Sequence, residues 1–201
     1  MHDMQNETGT PLTPTPPPEA ADDASPDRQP DAPRRHRLFG LLVVIAVLAY
    51  ASDQVSKAIA LDRLGDGQSR SLIGDVISLK LIGNPGAALS LGAGNTWVMT
   101  IIAAVVLVAI AFVAKGLGSR TWAVALGALL GSALGNLTDR FVRPPGGGQG
   151  HVVDFIDYNG WFIGNVADIW IVAAAILIVL LALLGIGVDG RRDHGTRRRD
   201  G

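Results

Sequence analysis

Residues 167–188 read ADIWIVAAAILIVLLALLGIGV, and their only charge is Asp168, at the start of the run. A helix rises 1.5 Å per residue and a hydrocarbon core is about 30 Å thick, so a run of this length and apolarity predicts a transmembrane helix. Three more segments read the same way. They span residues 38–61, with polar residues only in the second half, residues 97–114, without charge, and residues 121–138, also uncharged. None alternates with a period of two, as a barrel strand would, and lipid admits only helices or closed barrels. The expected fold is therefore an all-α integral membrane protein with four transmembrane helices.

Composition agrees with this. Of the 201 residues 48% are hydrophobic and 17% charged, and the charges crowd into the first 37 residues, the last dozen and the connecting loops. Ionisable groups avoid hydrocarbon, which accounts for their segregation. The formal net charge of -1 averages an acidic stretch with basic flanks and so says little about partners; no nucleic-acid partner is expected. Cys is absent, which excludes disulfides, thiolate nucleophiles and thiolate metal sites. Of four His, only His151 lies among other polar residues of interest, so a multi-His metal centre is not expected.

Three regions follow. Residues 1–33, rich in Pro, Asp, Ala and Thr, have too little apolar surface to offset ordering entropy and are expected to be disordered. Residues 34–190 form the membrane domain, and 191–201 a basic tail. Arg34, Arg35 and Arg37, then Lys115 and Arg120, then Arg191, Arg192 and Arg197 to Arg199 fall on one side of a four-helix chain, which the positive-inside rule makes cytoplasmic. Both tails then face the cytoplasm, and the loops at 62–96 and 141–166 face outward. In the first loop, Ser71–Ile73 and Val76–Ile82 around Gly74-Asp75 predict a small extracytoplasmic β-element. Arg34 to Arg37, the apolar run and Ala49-Tyr50-Ala51 also imitate a cleavable leader. The Pro144–Gly148 stretch reads as a flexible loop insert with no phosphate-binding pattern after it.

Polar residues inside apolar segments are costly, so each is a functional candidate. Asp53 and Lys57 lie four apart on one helical face, as an ion pair would. Gly127, Gly131 and Gly135 line a face that lets another helix approach closely. Asn136, Asp139 and Arg140 gather at the outward end of the same segment. Asp154 reads as a loop carboxylate and Asp168 as a helix-start residue suited to the macrodipole. The last two share a membrane face. If brought together they share one proton, giving a base for water and an acid for a carbonyl. On residues alone two other classes stay open: an ion path lined by Asp53, Lys57, Asp154 and Asp168, or an assembly protein that uses the glycine face.

Five blocks carry a more specific signal: Asp53-Gln54-Val55-Ser56-Lys57, Asn84-Pro85-Gly86-Ala87-Ala88, Gly135-Asn136-Leu137-Thr138-Asp139-Arg140, His151-Val152-Val153-Asp154-Phe155 and Asn165-Val166-Ala167-Asp168. In this order, across residues 38–188, the sequence resembles the lipoprotein signal peptidase (signal peptidase II) family of membrane aspartyl proteases. The resemblance implies that Asp154 and Asp168 are the catalytic dyad. Asn136, Asp139, Arg140 and Asn165 would support the site and bind substrate, Asn84 and Gly86 would lie in the outer β-element that cradles it, and Asp53 and Lys57 would be structural or substrate-adjacent. It implies lipid-modified prolipoprotein substrates cut just before the diacylglyceryl-bearing Cys, contact with membrane lipids, no metal or cofactor, a retained first helix and a place in the bacterial cell membrane. It leaves the oligomeric state open. Two positions depart from the pattern. Gly164 stands where the family usually has Phe, and Ala88 and Leu89 where a Phe is common. Trp161 and Phe162 are the candidates to supply the missing aromatic bulk.

Overall fold

The computed structural model describes residues 32–86 and 96–192. The disorder expected of residues 1–33 concerns almost wholly positions outside this range. So do most of the expected basic tail, at 193–201, and Ala87, Ala88 and Leu89. The chain runs α1 (Ala32–Arg63), β1 (Arg70–Ile73), β2 (Ile77–Asn84), α2 (Thr96–Val113) with a short 3-10 turn, α3 (Arg120–Val142), β3 (Val152–Asp157), β4 (Ile163–Gly164) and α4 (Val166–Leu183). All four α-helices are long and apolar enough to cross a membrane. At 32 residues, α1 is about 48 Å long, so it overshoots the hydrocarbon and carries its polar end to the sheet.

α3 is the central helix, packed against α1, α4 and α2. Its glycines are the reason α1 comes so close. A Cβ on Gly127 would meet the Leu42 carbonyl and Ile45, one on Gly131 the Ala46 carbonyl, and one on Gly135 the Asp53 carboxylate. Small residues thus bring backbone against backbone along the whole α1–α3 seam. At the basic end a core of Leu38, Leu42, Ile110, Leu117, Ala123 and Leu126 closes the bundle. Ser119 caps α3 there by accepting from the Trp122 amide.

The four strands form one antiparallel sheet in the order β1-β2-β3-β4. A second core of Ala60, Leu64, Val153 and Phe155, covered by Leu79, Leu81 and Val166, seats this sheet on the end of α1. The β-element is therefore larger than the sequence indicates. It joins both outer loops, and Asp154 lies in β3 instead of in a loop. Its strand is buried on both faces at Val152–Phe155, so it lacks the alternation that marks a half-exposed strand. Its partner β2 lies far away in sequence, with Ile82 opposite Asp154 and Asn84 opposite Val152.

The Pro144–Gly148 stretch is tied down. The amides of Gly148 and Gly150 donate to the Arg140 carbonyl at 3.0 and 2.8 Å, and the Thr100 hydroxyl of α2 donates to the Gly148 carbonyl.

Candidate active site

Asn84 and Asp154 are diagonal neighbours on one face of the β2–β3 pair. Asn84 Nδ2 donates to Asp154 Oδ2 at 2.7 Å, while Asn84 Oδ1 accepts from the Gly86 amide at 2.8 Å. That turn puts Gly86 at φ 110°, and a Cβ there would stand 2.8 Å from Met99 Cγ. Glycine is thus required both by backbone conformation and by the close approach of α2.

Asn165 organises the other carboxylate. It caps α4 in a reciprocal box: its Oδ1 accepts from the Asp168 amide at 3.1 Å, and its own amide donates to Asp168 Oδ2 at 3.0 Å. Its Nδ2 then donates to Asp154 Oδ1 at 2.6 Å and to Asn136 Oδ1 at 3.3 Å. One residue therefore holds both carboxylates, Asp154 through its side-chain amide and Asp168 through its backbone amide. Both carboxylates line a cavity of about 380 Å³ between α2, α3 and α4, and Asn84, Gly86, Asn136, Arg140 and Asn165 line it with them. The remaining wall is apolar, from Met99, Ile102 and Val106 of α2 to Ile171 of α4.

Asp154 is 2% exposed. Burial pushes its carboxyl up to about 6; the hydrogen bonds from Asn84 and Asn165 pull down, the neighbouring Asp168 charge pushes up, and Lys57 pulls down. The group can thus hold or release a proton near neutrality, as a general acid or base requires.

Asp53, Lys57 and Asp139 do not reach the cavity. They sit one layer behind it as a buried hub, each at most 1% exposed. Lys57 Nζ contacts Asp53 Oδ2 at 2.7 Å and Asp139 Oδ2 at 2.8 Å, and donates to Asn136 Oδ1 at 2.9 Å. All three ammonium protons are used. Asp53 Oδ1 accepts from the Ala167 amide of α4 at 3.1 Å, and Asp139 Oδ2 from the Val153 amide of β3 at 3.2 Å. The hub ties α1, α3, α4 and β3 to one point. Asn136 links it to the site, because its Oδ1 receives both Lys57 and Asn165.

Two members of this network are not apparent from spacing. Gln54 Nε2 bridges Asp53 Oδ2 and the Gly135 carbonyl, each at 3.1 Å; the signal for it is a further polar residue inside an apolar run. Arg143 Nε pairs with Asp139 Oδ1 at 2.7 Å. It lies just past the expected end of the third segment. Arg140 is buried with Nη1 3.5 Å from the Gly150 carbonyl. His151 is exposed and does not line the cavity.

The family described as Signal peptidase (SPase) II matches residues 45–184. The chain belongs to the signal peptidase II family. A lipoprotein signal peptidase from Rhodococcus jostii (strain RHA1) is 45% identical over 171 residues, covering 85% of this chain and 86% of the relative. One from Mycobacterium bovis (strain BCG / Pasteur 1173P2) is 42% identical over 201 residues, covering 100% of this chain and 95% of the relative. A solved structure of a bacterial membrane enzyme superposes with a TM-score of 0.63 at 31% identity, covering 72% of this chain and 88% of that one. The signal peptidase II match spans every polar block of the site and both carboxylates.

Proposed function

We propose that this chain removes the signal peptides of prolipoproteins by cutting just before the diacylglyceryl-modified Cys, with Asp154 and Asp168 as the catalytic pair. The observation that carries the reading is Asn165, which holds both carboxyls at the wall of one cavity. The cavity opens between membrane helices at the end of the bundle that bears the sheet. A substrate held in the bilayer by its signal helix and lipid therefore enters sideways, at a depth where water is present.

The pair shares one proton, because two carboxylates at close range do not both ionise cheaply. The ionised member takes a proton from water, whose oxygen attacks the scissile carbonyl. The neutral member gives its proton to the developing oxyanion. Collapse of the tetrahedral intermediate then breaks the C–N bond: the proton held by the first carboxyl goes to the leaving nitrogen, and one hydroxyl proton of the intermediate returns to the second carboxyl as the product acid forms. Asn84 and Asn165 keep Asp154 ionisable despite burial by donating to its charged form. Arg140, Asn136 and Gly86 line the same cavity and would meet the peptide backbone there.

The protein would sit in the bacterial cell membrane, and both termini would be cytoplasmic; the orientation is supported by Arg34, Arg35, Arg37, Lys115, Arg120, Arg191 and Arg192, which share the end opposite the sheet. The test is cleavage of a diacylated precursor peptide by purified protein. Asp154→Asn and Asp168→Asn are expected to abolish product while remaining folded. Processing at the native rate by either variant overturns the assignment.

A further inference from the structure

A second groove meets the site at Asp168, on the other flank of α4. Its volume is about 400 Å³, and Tyr158, Phe162, Ile169, Val172, Ala173 and Ile176 line it with Asp168. The last four repeat at helical spacing, so they form one stripe down the outer face of α4. The upper end is roofed by the Tyr158 and Phe162 rings, stacked with centroids 4.4 Å apart. A tight turn holds them there: the Tyr158 amide donates to the Phe162 carbonyl and the Trp161 amide to the Tyr158 carbonyl, both at 3.0 Å. Trp161 itself points away, 89% exposed.

Gly164 belongs to this arrangement. A Cβ on Gly164 would stand 2.8 Å from Asp168 Oδ2 and 3.2 Å from Phe162 Cε2. A bulky residue at 164 therefore excludes the Phe162 ring from its place beside the carboxylate. Phe162, just before β4, thus lays its ring over the space that Gly164 leaves open.

The two grooves differ in chemistry. The central cavity offers Asn84, Asn136, Arg140 and Asn165, which a peptide backbone entering at membrane depth needs for its amides and carbonyls. Among the described residues the α4 groove offers no polar side chain except Asp168 and the Tyr158 hydroxyl, and the aromatic pair closes it at the top. A peptide must run on past the scissile bond in both directions, whereas an acyl chain branches from the Cys side chain and ends in lipid. We infer that the α4 groove is the subsite for an acyl chain of the substrate's diacylglyceryl group, with Phe162 and Tyr158 as its roof and Gly164 as the residue that admits them. This rests on the proteolytic reading above, and Asp168 lines both the groove and that site.

The experiment compares precursor peptides of identical sequence bearing long or short acyl chains. Ala173→Phe fills the groove on a lipid-facing position of α4. The native preference for long over short chains, measured as a ratio of kcat/KM, is expected to fall about tenfold in the variant, through KM. An unchanged ratio overturns the inference. So does a loss that follows the length of the signal helix instead of the acyl chain, because the groove then seats the peptide. In a second arm, a diazirine near the acyl terminus is photolysed on Asp154→Asn protein. Labelling of residues 169–176 supports the assignment, and labelling of α2 at 102–106 refutes it. Failure of the native protein to cut either peptide sinks the proteolytic reading, and the labelling arm still reports the subsite.

Discussion

Replacing Asp154 by Asn is expected to stabilise the fold above neutrality and to lose that advantage in acid. Burial holds the Asp154 carboxyl up to about 6, while an unfolded carboxylate titrates near ~3.9. Each unit corresponds to about 1.4 kcal/mol, so ionising this group costs the folded state roughly 3 kcal/mol that the unfolded chain does not bear. Between about pH 4 and 6 the folded protein binds more protons than the unfolded chain. Its stability therefore falls as pH rises through that window and levels off above it. Asn stands in for the neutral carboxyl, with the same shape, and does not titrate. Either neutral group accepts fully on one oxygen only, so the conflict with the donors Asn84 Nδ2 and Asn165 Nδ2 is similar in both. The variant-minus-native difference is then expected to grow by roughly 2–3 kcal/mol from about pH 4 to about pH 8, in favour of Asn. Unfolding in mixed micelles, followed by Trp fluorescence at several pH values, measures it. A difference that is flat with pH, or that grows towards acid, refutes the burial argument. It would also remove the reason for expecting Asp154 to exchange a proton near neutrality.

Lys57→Met leaves buried Asp53 without its cation and Asp139 with Arg143 alone, and is expected to destabilise by about 3–5 kcal/mol, with partial recovery in Lys57→Met/Asp53→Asn, read by the same unfolding assay. Asn165→Ala deletes a hydrogen bond to the charged form of Asp154, so the acid limb of the pH–rate profile is expected to move to higher pH; an unmoved limb counts against Asp154 as the group that limb reports. Gly131→Val drives a side chain into the Ala46 carbonyl and is expected to prevent close α1–α3 packing, seen as loss of monodisperse protein, while Val at the open Gly40 is tolerated on that assay. Gly86→Ala strains a φ of 110° against Met99 and is expected to lower kcat/KM about tenfold or more, the equivalent of 1–3 kcal/mol of strain, with little change in unfolding midpoint if the strain relaxes locally.

Much of the architecture is legible because lipid leaves few options. A run such as residues 97–114 has no charge and no competing fold, so the helix follows from hydropathy alone. The helix ends are less legible. α3 continues to Val142, where Asp139 pairs with Arg143 and accepts from the Val153 amide of the sheet, which no hydropathy window registers. The glycine face was readable from spacing, but its partner was not; the contact with Leu42 and Ala46 is a matter of tertiary packing. Seven of the candidate residues converge on one cavity, and Asp53, Lys57 and Asp139 lie behind it. Sequence placed these three at the right end of the bundle without separating the two layers. Asp154 is the instructive case. Its strand is covered on both faces and pairs with residues some seventy positions earlier, so local pattern resembles a loop.

The wiring of the hub has a consequence for biosynthesis. Asp53, from the opening membrane pass, is completed by the Ala167 amide of the closing pass, and Asp154 receives one of its two side-chain donors from Asn165 at that same junction. Until the closing pass has been threaded, the nascent polypeptide lacks one carboxylate and the clasp that aligns the other. If Asp154 and Asp168 are the catalytic pair as proposed, a half-inserted intermediate is hydrolytically silent, and the membrane holds no unguarded protease while translation is still under way.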